Sequence, residues 1–149
     1  MILFLGIATV LSTGLMIGTE FAVSAFINPI LEKLDEQARA HAVRLFAAKL
    51  GKVMPFWYTG NFLLLIVEAI LLRGERAMGL LAVASGVWAA VIVLTLLFLV
   101  PINNRLARQD VSSTLPEADR QHRRWDAMHR ARVVALSAAF VLLLLGVHG

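Results

Sequence analysis

Residues 2–27, ILFLGIATVLSTGLMIGTEFAVSAFI, and 53–72, VMPFWYTGNFLLLIVEAILL, decide the fold. Each is an apolar run matching the roughly 20 residues that a helix needs to cross the hydrocarbon core of a bilayer. Each also carries one glutamate, Glu20 in the first and Glu68 in the second. A carboxylate is costly in hydrocarbon unless it is protonated, paired or hydrated, so an ionisable group at that depth marks a functional site by default. Two further runs, 78–100 and 131–147, pass the same test; the last is the shortest, and Arg130 and Arg132 can snorkel from its start to the interface. With 59% hydrophobic and 16% charged residues, the chain is too apolar for an ordinary soluble domain. The reading is a single all-α domain over residues 1–149, a four-helix transmembrane bundle with an amphipathic cytoplasmic helix after the first span. The first run has no positively charged segment before it and is long, which favours a retained span over a cleaved signal.

Charge placement orients the spans. Of the 14 Lys and Arg residues, five lie between Lys33 and Lys52 and seven between Arg105 and Arg132, leaving Arg73 and Arg76 elsewhere. Both basic segments fall on one side of a four-span chain, and the positive-inside rule assigns that side to the cytoplasm, with both termini outside. The net charge of +4 is then mostly topology. A nucleic-acid partner is not indicated, because the basic residues flank spans and lack an interleaved stacking surface. The absence of cysteine removes disulfides, thiolate nucleophiles and Cys-based metal sites.

Between the first two runs, Asn28-Pro29 followed by an amphipathic stretch reads as a helix start, with Asn28 as cap and Pro29 at the first helical position. Gly51 and Pro55 punctuate the entry to span two, and the short turn Arg73–Arg76 forces spans two and three into an antiparallel hairpin. Pro101-Ile102-Asn103-Asn104 stops or kinks span three, and Thr114-Leu115-Pro116-Glu117 has the pattern of a capping box opening the fourth helix. No loop is long enough for a soluble domain. A site must therefore be built in the bundle interior and at its cytoplasmic mouth.

Helical period selects the residues that could carry chemistry. Thr9, Thr13, Glu20 and Ser24 follow one another at steps of four, seven and four, and Trp57, Asn61 and Glu68 at steps of four and seven, so each set lines one face. The plain alternative is polar packing between helices. In the fourth helix His122, Trp125, His129 and Arg132 advance by three, four and three, with Asp126 and Arg130 able to pair beside them. Histidine supplies a base, arginine a permanent cation for an enolate or carboxylate, and tryptophan a flat apolar wall, the parts that proton abstraction from an acidic aromatic substrate requires. The plain alternative makes Trp125 an interface anchor and the arginines part of the charge bias. Trp57 and Tyr58 read as belt residues at the surface, whereas Trp88 lies too deep for a belt and is read as packing or a cavity wall. No Glu-x-x-His pair and no His pair at i and i+4 is present, so a metal or haem is a minor reading and the cofactor is left open.

Asn28-Pro29 at the end of span one, Met54-Pro55-Phe56-Trp57-Tyr58, Val100-Pro101-Ile102-Asn103-Asn104-Arg105-Leu106 and Trp125-x-x-x-His129-x-x-Arg132 occur over nearly the whole chain. In this order they resemble the small four-helix membrane proteins named after fungal anthrone oxygenases, many of whose bacterial members are classed as a domain of unknown function. The resemblance implies oxidation of an anthrone to an anthraquinone with O₂, without a classical organic cofactor, started by removal of the acidic ring-methylene proton. It implies His129 as base, Arg132 stabilising the enolate or hydroperoxide anion, and Asn103 donating to the oxyanion. Trp125 would stack on the rings, and Glu20 would accept a proton or hold His129 in its tautomer. Trp57, Asn61 and Glu68 complete the expected substrate-binding set. The expected setting is a bacterial inner membrane, and the expected partners are the lipid bilayer and an apolar small molecule, with oligomeric state open. The rival class is a carrier, a proton-coupled transport subunit or a complex partner using the buried glutamates; a haem or metal electron carrier is third.

Overall fold

The computed structural model describes residues 2–72, 75–108 and 115–148. Every regular element among them is helical. Helix α1 is Ile2–Leu31 and helix α2 is Glu36–Leu71. Helix α3 covers 75–108 and helix α4 is Leu115–His148. All four contain a stretch long and apolar enough to cross a membrane. Only 22–28% of each apolar window is buried inside the bundle. Leu3, Phe4, Leu11, Leu15, Phe56 and Val134 are among the large side chains left on the outer surface. A soluble monomer does not expose apolar surface on that scale, whereas lipid requires it.

Two helices change pitch where a proline approaches. Val23–Ile27 in α1 and Thr95–Leu99 in α3 are π-helical, and each ends two residues before a proline, Pro29 and Pro101. A proline in an α-helix cannot donate to the carbonyl four residues back, and its ring presses on that carbonyl. Widening the turn hands the bond to the next register: the N–H of Asn28 donates to the Val23 carbonyl, and that of Val100 to the Thr95 carbonyl. Neither helix breaks. Asn28 therefore lies inside α1 instead of capping a new helix, and Pro101 bends the pitch of α3 without stopping it.

The break falls at 32–35, where Asp35 caps α2 by accepting from the Ala38 N–H at 2.9 Å, with Glu36 in the first turn. The amphipathic segment is continuous with span two. Gly51 and Pro55 do not interrupt it, because the carbonyl facing the Pro55 ring belongs to Gly51, which has no side chain to crowd, and Thr59 Oγ1 returns a bond to the Pro55 carbonyl at 2.8 Å. At 36 residues α2 is about 54 Å long at 1.5 Å per residue, so it overruns a core of about 30 Å and its first turns form a wall at the basic end. Helix α4 begins at Leu115, and Thr114, the expected cap, lies outside the described residues.

The helices pack in a ring, each touching its neighbours in sequence, with α4 closing against α1. Met16, Leu65, Leu81, Trp88, Leu136 and Leu143 fill the centre with no exposed surface beyond 1%. Trp88 is plain packing that also ties two helices: its indole Nε1 donates to the Tyr58 carbonyl at 3.1 Å. Gly146 lets α4 approach α3 closely, since a Cβ there would stand 3.0 Å from Leu81 Cγ.

Candidate active site

Glu20 of α1, Tyr58 at the start of span two and the Trp-His-Arg face of α4 meet at the basic end of the bundle. Glu20 is 3% exposed and lies one turn before the π-helical segment of α1. Its Oε2 accepts from Arg132 NH2 at 2.5 Å and stands 3.2 Å from His129 Nδ1. The same Arg132 nitrogen is 2.8 Å from His129 Nδ1. Guanidinium has no acceptor, so both contacts are donations from Arg132, and Nδ1 of His129 carries the lone pair. The other ring nitrogen, Nε2, lies 3.1 Å from the Glu20 carbonyl, which only accepts, so the partners assign the proton to Nε2. His129 is thereby a neutral, fixed-tautomer imidazole with both nitrogens engaged. This triangle pairs a carboxylate with a guanidinium, each of which would otherwise be costly at this depth, and leaves Arg132 Nε buried without a partner among the described residues.

Neighbouring groups hold the triangle in place. Arg132 NH1 reaches Thr95 Oγ1, on the π-helical turn of α3, at 3.5 Å. The guanidinium carbon lies 5.6 Å from the centre of the Tyr58 ring. Trp125 stacks on His129 with centroids 4.8 Å apart and planes within 8°. At the α1–α4 contact, Asn28 Nδ2 donates to Asp126 Oδ1 at 2.9 Å, and Asp126 Oδ2 pairs with Arg130 at 2.8 Å across one turn. Asn28 thus acts as a tie between helices.

These groups line a cavity of about 520 Å³, within the range of small-molecule sites. Glu20, Asn103, Trp125, His129 and Arg132 all line it, together with Tyr58. The rest of its wall is largely aliphatic, from Val23, Ile27, Leu31, Val43, Met54 and Leu99. Both π-helical segments contribute, through Val23, Ile27, Thr95 and Leu99.

The other expected residues lie elsewhere. Trp57, Asn61 and Glu68 do not line the cavity. Trp57 Nε1 donates to Ser12 Oγ at 3.0 Å, and Ser12 donates to Asn61 Oδ1 at 2.6 Å. Asn61 Nδ2 then meets Met16 Sδ at 3.4 Å. Glu68, with no exposed surface, accepts from Thr9 Oγ1 at 3.3 Å, while its Oε2 has no partner among the described residues. These residues form a polar seam between α1 and α2, deeper in the bundle and towards its other end. The buried Met16 and Leu65 interrupt that seam. Ser24 is half-buried, and the side chains of His122 and His148 lie outside the described residues. No group of three or more His, Asp or Glu side chains with metal-ligand placement occurs among the described residues.

Tyr58 is the residue that sequence reading missed. An aromatic at the start of a span reads as a belt residue, yet Tyr58 is 5% exposed, packed against Trp88 at 6.1 Å and turned into the cavity. The available signal was helical period: Tyr58, Asn61, Leu65 and Glu68 share one face of α2 at steps of three, four and three.

A sequence profile described as anthrone oxygenase matches residues 43–142, about two thirds of the chain. The chain belongs to the anthrone oxygenase family. No curated protein and no solved structure matches it. The stretch shared with the anthrone oxygenase family holds Tyr58, Asn103, Trp125, His129 and Arg132, whereas Glu20 and Asn28 lie before it.

Proposed function

We propose that this protein is a membrane oxidoreductase that uses O₂ to oxidise an apolar, acidic aromatic molecule of the anthrone or polyketide kind, drawn from the bilayer. The observation that carries the reading is the Glu20–Arg132–His129 triangle in the wall of a largely apolar cavity. A fused aromatic ring system finds apolar walls there and a flat stacking surface in Trp125. Glu20 takes the ring-methylene proton, Arg132 turns its fork from the carboxylate to the enolate as charge moves to the substrate, and Asn103 donates to the oxyanion. His129 is a positioning residue: Nε2 holds the Glu20 backbone carbonyl and Nδ1 the guanidinium, and Nδ1 can accept the proton from Oε2 across 3.2 Å once Arg132 moves. The carbanion then reduces O₂, giving a hydroperoxide that loses water to the ketone; substrate and O₂ balance the equation. The positive-inside bias supports a cavity mouth at the cytoplasmic face, and the proposed setting is a bacterial inner membrane.

The transport reading needs a polar path along both glutamates. Buried Met16 and Leu65 stand between their surroundings, which favours chemistry at one end over passage through the bundle. The test is quinone absorbance from an anthrone with detergent-purified protein, with and without air and with and without chelator. Quinone formation that needs air and protein supports the reading, and the chelator arm reports a metal. No formation in any arm sinks it.

A further inference from the structure

The Tyr58 hydroxyl has a position that packing alone does not explain. The side chain is 5% exposed, and its phenolic oxygen has no partner at full hydrogen-bond geometry among the described residues, the Glu20 carboxylate being only a longer, weaker contact. Leaving a buried hydroxyl unpaired costs stability, and phenylalanine would fill the same space without that cost. The ring is nonetheless held firmly. Trp88 packs against it at 6.1 Å and binds its own backbone carbonyl at 3.1 Å, and Arg132 covers its face. Its charged neighbours are the Glu20 carboxylate and the Arg132 guanidinium, and it lines the cavity beside them. A fixed O–H held only loosely by a neighbouring carboxylate is a donor free to turn to an acceptor that arrives with the ligand.

We propose that Tyr58 is the catalytic acid of the second half-reaction, protonating the oxygen that leaves when the substrate hydroperoxide collapses. The role rests on the oxygenase reading above. In the first half, Glu20 takes one methylene proton, a C–O bond forms as two electrons pass from carbon to O₂, and Glu20 returns the proton to the peroxide. In the second half, Glu20 takes the remaining proton from that carbon, the C=O bond forms and the O–O bond breaks. The distal oxygen leaves with its own hydrogen and takes the Tyr58 proton, becoming water. The phenolate recovers the proton that Glu20 now holds. Both side chains end as they began, and the sum is substrate plus O₂ giving ketone plus water.

The experiment compares the purified parent with Tyr58→Phe, following O₂ uptake, quinone absorbance and hydroperoxide together after addition of an anthrone. Quenching of tryptophan fluorescence by an anthraquinone checks that the cavity still binds. The parent should form one quinone per O₂ with no peroxide. Tyr58→Phe should bind and consume O₂ near the parental rate while quinone formation falls by about 10²-fold and hydroperoxide accumulates, as expected for loss of a general acid. Quinone and O₂ remaining coupled one to one in Tyr58→Phe would overturn the role, and so would loss of O₂ uptake with binding intact. If Tyr58→Phe does not fold, Tyr58→Met carries the same readouts. A parent that consumes no O₂ would instead overturn the oxygenase reading itself.

Discussion

Removing either member of the Glu20–Arg132 pair should destabilise the bundle far more than removing both. The Glu20 side chain is 4% exposed, the Arg132 side chain is 12% exposed, and they meet at 2.5 Å. Glu20→Leu leaves the guanidinium without its main acceptor, and Arg132→Met leaves a carboxylate facing only His129, so each single change should cost about 3–5 kcal/mol. The double variant removes both charges and keeps side-chain volume, and replacement of a buried pair by apolar residues is often neutral or better. Its cost should therefore fall below that of either single change, giving a coupling energy of about 3 kcal/mol or more. Glu68→Leu combined with Arg132→Met should be additive within about 0.5 kcal/mol, because Glu68 contacts Thr9 in a separate seam. The assay is reversible denaturation of the purified protein in mixed micelles, followed by far-UV circular dichroism. Additive single changes, or costs below about 1 kcal/mol as for an exposed pair, would refute the buried-pair account.

Three further outcomes are expected from the charge bias of the sequence and from the packing. Gly74→Cys should react with an impermeant maleimide only from outside the cell and Lys49→Cys only from the cytoplasmic side; labelling at Gly74→Cys from the cytoplasm alone would invert the topology. Gly146→Val should cost about 1–3 kcal/mol by denaturation, since its Cβ would already stand 3.0 Å from Leu81 Cγ. Arg132→Lys should keep the charge but lose the simultaneous reach to Glu20, His129 and Thr95, so turnover should recover only partly relative to Arg132→Ala, and full recovery would show that point charge suffices.

The fold was readable because lipid imposes length and composition on each span, and because the helical period separates a polar stripe from its apolar surroundings. Period alone does not say which stripes face each other. Glu20 and Glu68 look alike in sequence, each late in its own apolar run, yet one meets Arg132 and the other Thr9. Antiparallel spans place those two late positions at opposite ends of the bundle, so the chain's own up-and-down topology held the answer. The proline signals pointed to helix ends, whereas a membrane helix keeps its backbone bonds and widens a turn instead, as at Val23–Ile27 and Thr95–Leu99. Tyr58 was hidden for a different reason. Its burial depends on Trp88 of α3 and Arg132 of α4, and neither contact can be inferred from the span it starts.

The most direct test of the account is oxygen uptake with an anthrone by three purified proteins: the parent, Glu20→Gln and Glu68→Gln. Both replacements keep hydrogen-bonding capacity and remove one buried carboxylate. If the chemistry resides in the cavity at the basic end, Glu20→Gln loses about 10²–10⁴-fold in rate while Glu68→Gln stays near the parent. Uptake that survives Glu20→Gln, or that is abolished by Glu68→Gln alone, would contradict the placement of the reaction at the Glu20–Arg132–His129 triangle.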